Sequence, residues 1–344
     1  MHIHFSLRRA GLAGATSVAL LAACGGSQSN DNLPQLGPAT GATIASCTSL
    51  ATGFSFAETS IASAVVVASG ALTNAGQPVG EHCLVTGTMK QRVSAVDGQT
   101  YAIGFEMRLP KDWSGRYLYQ GNGGTDGAIA QASGGFSGGG PLRNGLQLGF
   151  AVISSDAGHS SAQNPLFGVD PQARLNYGYQ AVGTLTPMAK ALIKAAYGKG
   201  PERSYFGGTS NGGRHTMVAA ARYAQDYDGF LAVSPGFNLP KAAVAQLYGA
   251  QQWSTVATTT GTAPNFDLES ALPQVERAVL AKAILAKCDA LDGLADGLVQ
   301  DLSACRTAFD LARDVPTCSS ARDGTCLTSA QKTVVGNVFA GAKN

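Results

Sequence analysis

The chain has 344 residues, 44% of them hydrophobic and 13% charged, and is long enough to bury one large core plus an appended region. Its formal net charge is only +2 and it contains no basic run. This composition lacks the electrostatic footprint of a nucleic-acid-binding protein, so we expect no nucleic-acid partner. After residue 23, no apolar run approaches the length that spans a bilayer.

The first 24 residues have the pattern of an export signal. Arg8 and Arg9 precede an apolar run that ends in Leu21-Ala22-Ala23-Cys24. A cysteine after small residues resembles a bacterial lipoprotein box, in which Cys24 is acylated after removal of residues 1–23; ordinary cleavage nearby is the alternative. Without Arg8 and Arg9, the remaining basic residues equal the 22 acidic ones. We therefore expect an exported protein, either secreted or a periplasmic or cell-surface lipoprotein that contacts a membrane only through Cys24.

The cysteine content fits an oxidising compartment. Setting Cys24 aside leaves six, namely Cys47, Cys83, Cys288, Cys305, Cys318 and Cys326. An even number in an exported chain is typical of disulfides, and six cysteines allow fifteen connectivities. We favour nearest-neighbour pairing because each such pair falls within one local region.

The pattern of elements divides the chain into a linker, a core and a lid. Residues 25–45 are rich in Gly, Ser, Asn and Pro, which predicts a flexible linker. In the predicted core, 46–240, the runs 64–68 and 100–108 indicate an antiparallel entry to a sheet. The region 241–344 lacks this strand rhythm and is predicted to be a partial lid domain.

Further along the core, short strand patterns alternate with longer segments. The candidate strands are 116–120, 150–154, 205–207 and 230–233, and 181–197 has strong helical character. This alternation predicts an α/β fold with a mostly parallel sheet and helices on both faces. In such folds, sites form at the carboxyl ends of the strands.

The sequence Gly208-Thr209-Ser210-Asn211-Gly212 follows a strand pattern and precedes a helical one. This arrangement is typical of a nucleophile elbow, with Ser210 as the candidate nucleophile. One oxyanion donor would be the backbone N–H of Asn211, and the glycine-rich loop 121–124 is the candidate source of the second. The alternative is a plain glycine-rich turn.

A serine nucleophile needs a base, and the five histidines supply no convincing one. Only His215 follows Ser210, and five residues along a helix turns it about 140° away. His159 follows a strand end, but Asp156-x-x-His159 is better interpreted as a pair that fixes its loop.

A second group of residues suggests a metal. Three carboxylates, Asp289, Asp292 and Asp296, lie within eight residues beside two glycines. Hard oxygen ligands suit Ca²⁺, so we predict a structural calcium ion held by these side chains and by the carbonyls of Leu294 and Leu298. Asp-Gly turns without metal are the alternative.

Taken together, these motifs resemble the tannase and feruloyl esterase family of α/β-hydrolases, close to its mono(2-hydroxyethyl) terephthalate hydrolase branch. The resemblance runs from about Cys47 to Asn344. Besides the elbow and the Asp-rich loop, it rests on Asp112-Trp113, Asp156-Ala157-Gly158-His159, Gly168-Val169-Asp170-Pro171, Ser204-Tyr205-Phe206, Gly212-Gly213-Arg214 and Tyr227-Asp228-Gly229.

The resemblance implies Ser210 as nucleophile, the N–H groups of Gly124 and Asn211 as oxyanion hole, the calcium ligands above and the three local disulfides. It implies a serine carboxylic ester hydrolase whose substrate is a small-molecule ester of a feruloyl, galloyl or terephthaloyl type. The oligomeric state is left open.

Two features depart from the family pattern. Thr209 stands where the family usually has a disulfide-bonded cysteine. The family's catalytic Asp and His also follow the lid, and the chain ends within the predicted lid, so we expect low activity of the chain as it stands. The alternative is a non-catalytic surface-binding lipoprotein on a decayed hydrolase scaffold.

Overall fold

The computed structural model describes residues 37–135, 143–259 and 267–343. The predicted signal peptide, Cys24 and the first part of the linker lie outside these ranges. The chain forms two compact units that meet in sequence at Pro235 and Gly236. Across the described ranges, no helix is both long and apolar enough to cross a membrane.

The first unit is built around strands. Those described are β1 (Ala42–Thr43), β2 (Thr59–Val67), β3 (Thr73–Asn74), β4 (Gln77–Pro78), β5 (His82–Val93), β6 (Thr100–Pro110), β7 (Asp112–Trp113), β8 (Arg116–Gly121), β9 (Ala151–Ser155), β10 (Arg203–Thr209) and β11 (Gly229–Val233).

Seven of these strands form one sheet in the order β11-β10-β8-β9-β6-β5-β2. The pairs β11-β10, β10-β8 and β8-β9 are parallel. The pairs β9-β6, β6-β5 and β5-β2 are antiparallel. The predicted α/β class and the predicted antiparallel entry are both confirmed, and the four parallel strands form the half of the sheet that carries the elbow.

The first unit also contains helices. They are α1 (Leu50–Gly53), α2 (Pro171–Leu175), α3 (Ala181–Tyr197), α4 (Asn211–Arg222), the π-helix Asn176–Gln180 and the 3₁₀ helices Leu146–Leu148, Ser161–Gln163, Leu166–Val169 and Ala224–Asp226. The predicted helix 181–197 is confirmed as α3, which ends at Gly198 in the left-handed conformation.

The core of the first unit lies between α3 and the sheet. Leu185 and Leu192 of α3 are fully buried in the same cluster as Phe105 and Ile153 of the sheet. Burying each such side chain contributes about 1.5–3 kcal/mol. Strand β9 is buried along its whole length, as expected for a parallel strand covered on both faces. The rigid sheet therefore fixes the positions of the loops that follow β8, β9 and β10.

The second unit is helical. It contains α5 (Leu239–Ser254), α6 (Gln274–Cys288), α7 (Leu302–Ala308), α8 (Leu311–Asp314), α9 (Ser329–Ala340) and the 3₁₀ helices Leu268–Ala271 and Asp289–Asp292. Helix α9 begins with a capping box between Thr328 and Gln331. In the part of this unit that the structure describes, extended pairing is limited to the bridge between Thr317 and Leu327.

All three predicted disulfides are present. Cys47 pairs with Cys83 in the first unit, while Cys288–Cys305 and Cys318–Cys326 lie in the second. Each closes a short loop and removes conformational freedom from the unfolded chain.

Candidate active site

Ser210 lies between the end of β10 and the first residue of α4. Its backbone has φ 60° and ψ −118°, a conformation that non-glycine residues rarely adopt. The residue is exposed. A strained, exposed serine at a strand-to-helix turn is the geometry of a nucleophile elbow.

Glycine is required two residues before and two residues after Ser210, because both positions pack against the backbone at the end of β8. A Cβ atom on Gly208 would lie 2.7 Å from the carbonyl oxygen of Gly121, and one on Gly212 would lie 2.2 Å from the same oxygen. Real Cβ atoms do not approach a backbone oxygen this closely. The pattern G-x-S-x-G therefore follows from the close packing of the elbow on the end of β8.

The two predicted oxyanion donors lie in the segments that follow β8 and β10. Asn211 is the first residue of the twelve-residue helix α4, where the helix dipole favours negative charge. Gly124 has φ 65°, and a Cβ there would meet no atom within 4 Å, so glycine is needed at this position for its backbone conformation.

The loop after β8 is held by hydrogen bonds from the loop after β9. Three consecutive carbonyl oxygens of the loop after β8 each accept a hydrogen bond from a side chain of the loop after β9. His159 Nε2 lies 3.0 Å from Thr125 O, Asn164 Nδ2 lies 3.1 Å from Asp126 O and Ser161 Oγ lies 2.9 Å from Gly127 O. The Asn122 amide also donates to Ser155 O at 2.8 Å. Residues 122–127 are therefore fixed to the neighbouring strand end.

A buried polar cluster that sequence reasoning missed lies beneath the elbow. Asp126 Oδ2 is 2.7 Å from His215 Nε2 and 2.8 Å from Asn211 Nδ2. The side chains of Asp126 and His215 are 2% and 6% exposed. Arg214 Nε donates to Asn211 Oδ1 at 2.7 Å, and Tyr177 Oη lies 3.2 Å from the same oxygen. The one sequence feature that points to this cluster is the acidic residue Asp126, which lies two positions after the candidate donor Gly124.

The described histidines are all bonded to groups other than Ser210. His82 contacts Gly80 O and Arg108, His159 contacts Thr125 O and Asn164, and His215 contacts Asp126. Within residues 37–135, 143–259 and 267–343, no histidine hydrogen bonds to Ser210. The candidate nucleophile and the two candidate oxyanion donors thus follow the carboxyl ends of the neighbouring strands β8 and β10. Among the described residues, no histidine is bonded to Ser210 as its base.

His159 and Asp156 both fix their loop, but they do not bond to each other. His159 stacks on Phe167 with ring centroids 3.7 Å apart, and burial lowers its pKa. Asp156 Oδ1 accepts from the N–H groups of Gly104 at 2.9 Å and Gly158 at 2.8 Å. Burial is the largest influence on Asp156 and raises its pKa to about 7.

The Asp-rich loop is arranged as hydrogen-bonded turns. Asp289 Oδ1 accepts from Gly297 N at 2.9 Å, Asp292 Oδ1 from Leu294 N at 3.0 Å and Asp296 Oδ1 from Leu298 N at 3.0 Å. Across the described residues, no three acidic, histidine or cysteine side chains lie close enough together to hold a metal ion. The calcium ion held by Asp289, Asp292 and Asp296 stays a prediction.

Comparison with known proteins identifies the family. The chain belongs to the tannase and feruloyl esterase family, whose model matches residues 83–344. The mono(2-hydroxyethyl) terephthalate hydrolase of Piscinibacter sakaiensis is 36% identical over 279 residues, which are 77% of this chain and 46% of that protein. A probable feruloyl esterase B-1 of Neosartorya fischeri is 29% identical over 234 residues, 68% of this chain and 41% of that protein.

A solved structure shares the fold. Feruloyl esterase B from Aspergillus oryzae superposes with a TM-score of 0.65 at 23% identity, covering 84% of this chain and 54% of that one. The chain spans less than half the length of the two sequence relatives. Membership of an esterase family and the α/β-hydrolase-like fold are thus established.

We expect Gly212→Ala to disrupt the elbow. The added methyl group would lie 2.2 Å from Gly121 O, so β8 and α4 must separate, at a cost of about 1–3 kcal/mol or more. Thermal melting should show a lowered melting temperature. In the control Gly249→Ala, within helix α5, the methyl meets nothing within 4 Å, and stability should rise by about 0.5–1 kcal/mol. A wild-type melting temperature for Gly212→Ala would contradict the packing argument.

We expect the contribution of Asp156 to the free energy of unfolding to decrease as the pH rises. Its pKa is about 7 in the folded chain and about 3.9 when unfolded, so the folded state binds more protons between these values. The free energy of unfolding therefore decreases from about pH 4 to about pH 7 and levels off above that. Asp156→Asn keeps the oxygen acceptor for Gly104 and Gly158 but does not titrate. Urea denaturation at pH 5 and pH 8 should show a smaller loss in Asp156→Asn than in wild type; equal losses would refute the assignment.

Proposed function

We propose that this protein is a carboxylic ester hydrolase that uses Ser210 as its nucleophile. The observation that carries the proposal is the strained, exposed backbone of Ser210 directly before α4, with Gly208 and Gly212 packed on Gly121. Membership of the tannase and feruloyl esterase family supports the reaction class.

In the proposed mechanism, Ser210 Oγ attacks the ester carbonyl carbon while a base takes the hydroxyl proton. The carbonyl oxygen becomes an oxyanion that accepts hydrogen bonds from the backbone N–H groups of Gly124 and Asn211. The alcohol leaves with the proton, and an acyl group remains on Ser210. Water then attacks this acyl-enzyme by the same route and releases the acid.

The base is the part of the proposal that the described histidines do not supply, because His82, His159 and His215 each have other partners. We propose that the acid and the histidine of the triad come from outside the described residues, as the family resemblance implies. The same observation favours the second candidate, a non-catalytic binding protein on a decayed hydrolase scaffold.

The proposed substrate class is an ester of an aromatic carboxylic acid. The two sequence relatives are named for terephthalate and feruloyl esters, and the family also for tannase. Feruloyl, galloyl and terephthaloyl groups share an aromatic ring on the acyl side of the bond. The lipid anchor on Cys24 and the exported location remain predictions, since those residues lie outside the described ranges.

Fluorophosphonate labelling of the protein expressed from its complete reading frame tests the nucleophile. Wild type should be labelled on Ser210, and Ser210→Ala should lose the label and at least about 10³-fold in ester turnover. Thr209→Ser, which keeps a hydroxyl beside the elbow, is a matched control and should still be labelled at Ser210. Labelling that survives Ser210→Ala would refute the assignment, while no labelling or turnover in wild type would favour the binding protein.

Calcium is tested separately by melting temperature. Each of Asp289, Asp292 and Asp296 uses its Oδ1 atom to accept a backbone N–H, and a carboxylate has further lone pairs that a cation can share. A bound ion stabilises the folded state by mass action. If the prediction holds, EGTA lowers the melting temperature and added calcium restores it. An unchanged melting temperature in a sample shown by elemental analysis to have lost its metal would count against a structural ion.

A further inference from the structure

The polar cluster beneath the elbow joins the two parts of the candidate oxyanion hole. Asp126 lies two residues after Gly124, in the loop that carries one donor. A single oxygen of its carboxylate contacts the side chains of Asn211 and His215, at 2.8 and 2.7 Å. Asn211 is the residue whose backbone N–H is the other proposed donor. The Asp126 carboxylate thus bridges the loop after β8 and the first turns of α4.

Burial makes this bridge strong and directional. As whole residues, Asn211 and His215 are 4% and 5% exposed, so little water competes for the carboxylate. A carboxylate only accepts, so the short contact assigns a proton to His215 Nε2. Removing His215 would leave Asp126 with a buried negative charge and one donor fewer, and breaking a buried pair in this way costs far more than breaking an exposed one.

The loop after β8 and the start of α4 are also held by other contacts, so neither can shift to replace a lost contact of Asp126. The carbonyl oxygen of Asp126 is held by Asn164, and the backbone of Asp126 is in the left-handed region at φ 56°. On the helix side, Arg214 binds Asn211 Oδ1 and also the carbonyl of Tyr177 in the π-helix. Of the contacts described between the loop and α4, those of Asp126 are the ones that bring in a charged group.

We propose that Asp126 and His215 are positioning residues that set the separation of the Gly124 and Asn211 N–H donors. This inference rests on the proposed ester hydrolysis through Ser210. The oxyanion is absent from the bound ester and develops in the transition state that leads to the tetrahedral intermediate. A displaced donor therefore lowers kcat while leaving substrate binding, and with it KM, nearly unchanged.

The test compares two substitutions at His215 in the protein expressed from its complete reading frame. His215→Leu removes the donor to Asp126, and we expect kcat for an aromatic ester to fall by about 10- to 100-fold with KM within about 2-fold, less than the loss of a whole donor. Inhibition by phenylboronic acid, whose serine adduct is tetrahedral, should weaken by a similar factor. His215→Gln keeps an N–H donor of similar reach and should retain most of kcat.

His82→Leu is the matched control. His82 is 1% exposed and contacts the charged Arg108 at 2.8 Å, but it lies on β5, away from the elbow. The substitution His82→Leu should lower the melting temperature and leave kcat unchanged. If His215→Leu fails to fold, the double variant Asp126→Ala with His215→Leu buries no unpaired charge and still lacks the bridge, so it should show the same fall in kcat.

The outcomes separate the two proposals. Unchanged kcat in folded His215→Leu, a rise in KM that accounts for the loss, or an equal loss in His82→Leu would overturn the positioning role alone. Absence of turnover in wild type, or labelling at a residue other than Ser210, would overturn the proposed function, and the positioning role would fall with it.

Discussion

The structure of the site depends on one close backbone contact, the packing of the elbow on the end of β8. The carbonyl oxygen of Gly121 occupies the space that side chains at positions 208 and 212 would need. This contact brings the start of α4 next to the loop after β8, and it is possible only because β8 and β10 are adjacent and parallel. The strained backbone of Ser210 follows, since the chain must reverse within one residue between strand and helix.

Polar side chains then hold the loop after β8 and the start of α4 in the positions that the backbone contact gives them. Residues of the loop after β9 hold three successive carbonyls of the loop after β8, and Asp126 ties that loop to α4. These groups are buried and have specific partners, so they specify one arrangement at the cost of desolvation. The catalytic constellation of the proposed hydrolase is thus prepared by hydrogen bonds made before any substrate arrives, which is what electrostatic stabilisation of a transition state requires.

Local patterns made much of this predictable from the sequence. Helix α3, the strands around the elbow and the three disulfides are confirmed, because each is encoded within a short stretch. The bridge from Asp126 to His215 joins residues 89 positions apart and depends on strand order, which no local pattern contains. Helix α5 is not among the predicted elements, although Pro240 lies in its first turn, where proline is well suited to a helix.

The central claim is that Ser210 faces an oxyanion hole formed by Gly124 and Asn211. A crystal structure of the full-length protein after reaction with a phosphonate ester tests it most directly. We expect the phosphorus bonded to Ser210 Oγ and one phosphonyl oxygen at about 2.7–3.1 Å from both backbone nitrogens. A phosphonyl oxygen that points away from either nitrogen, or an adduct on a different residue, would contradict the account.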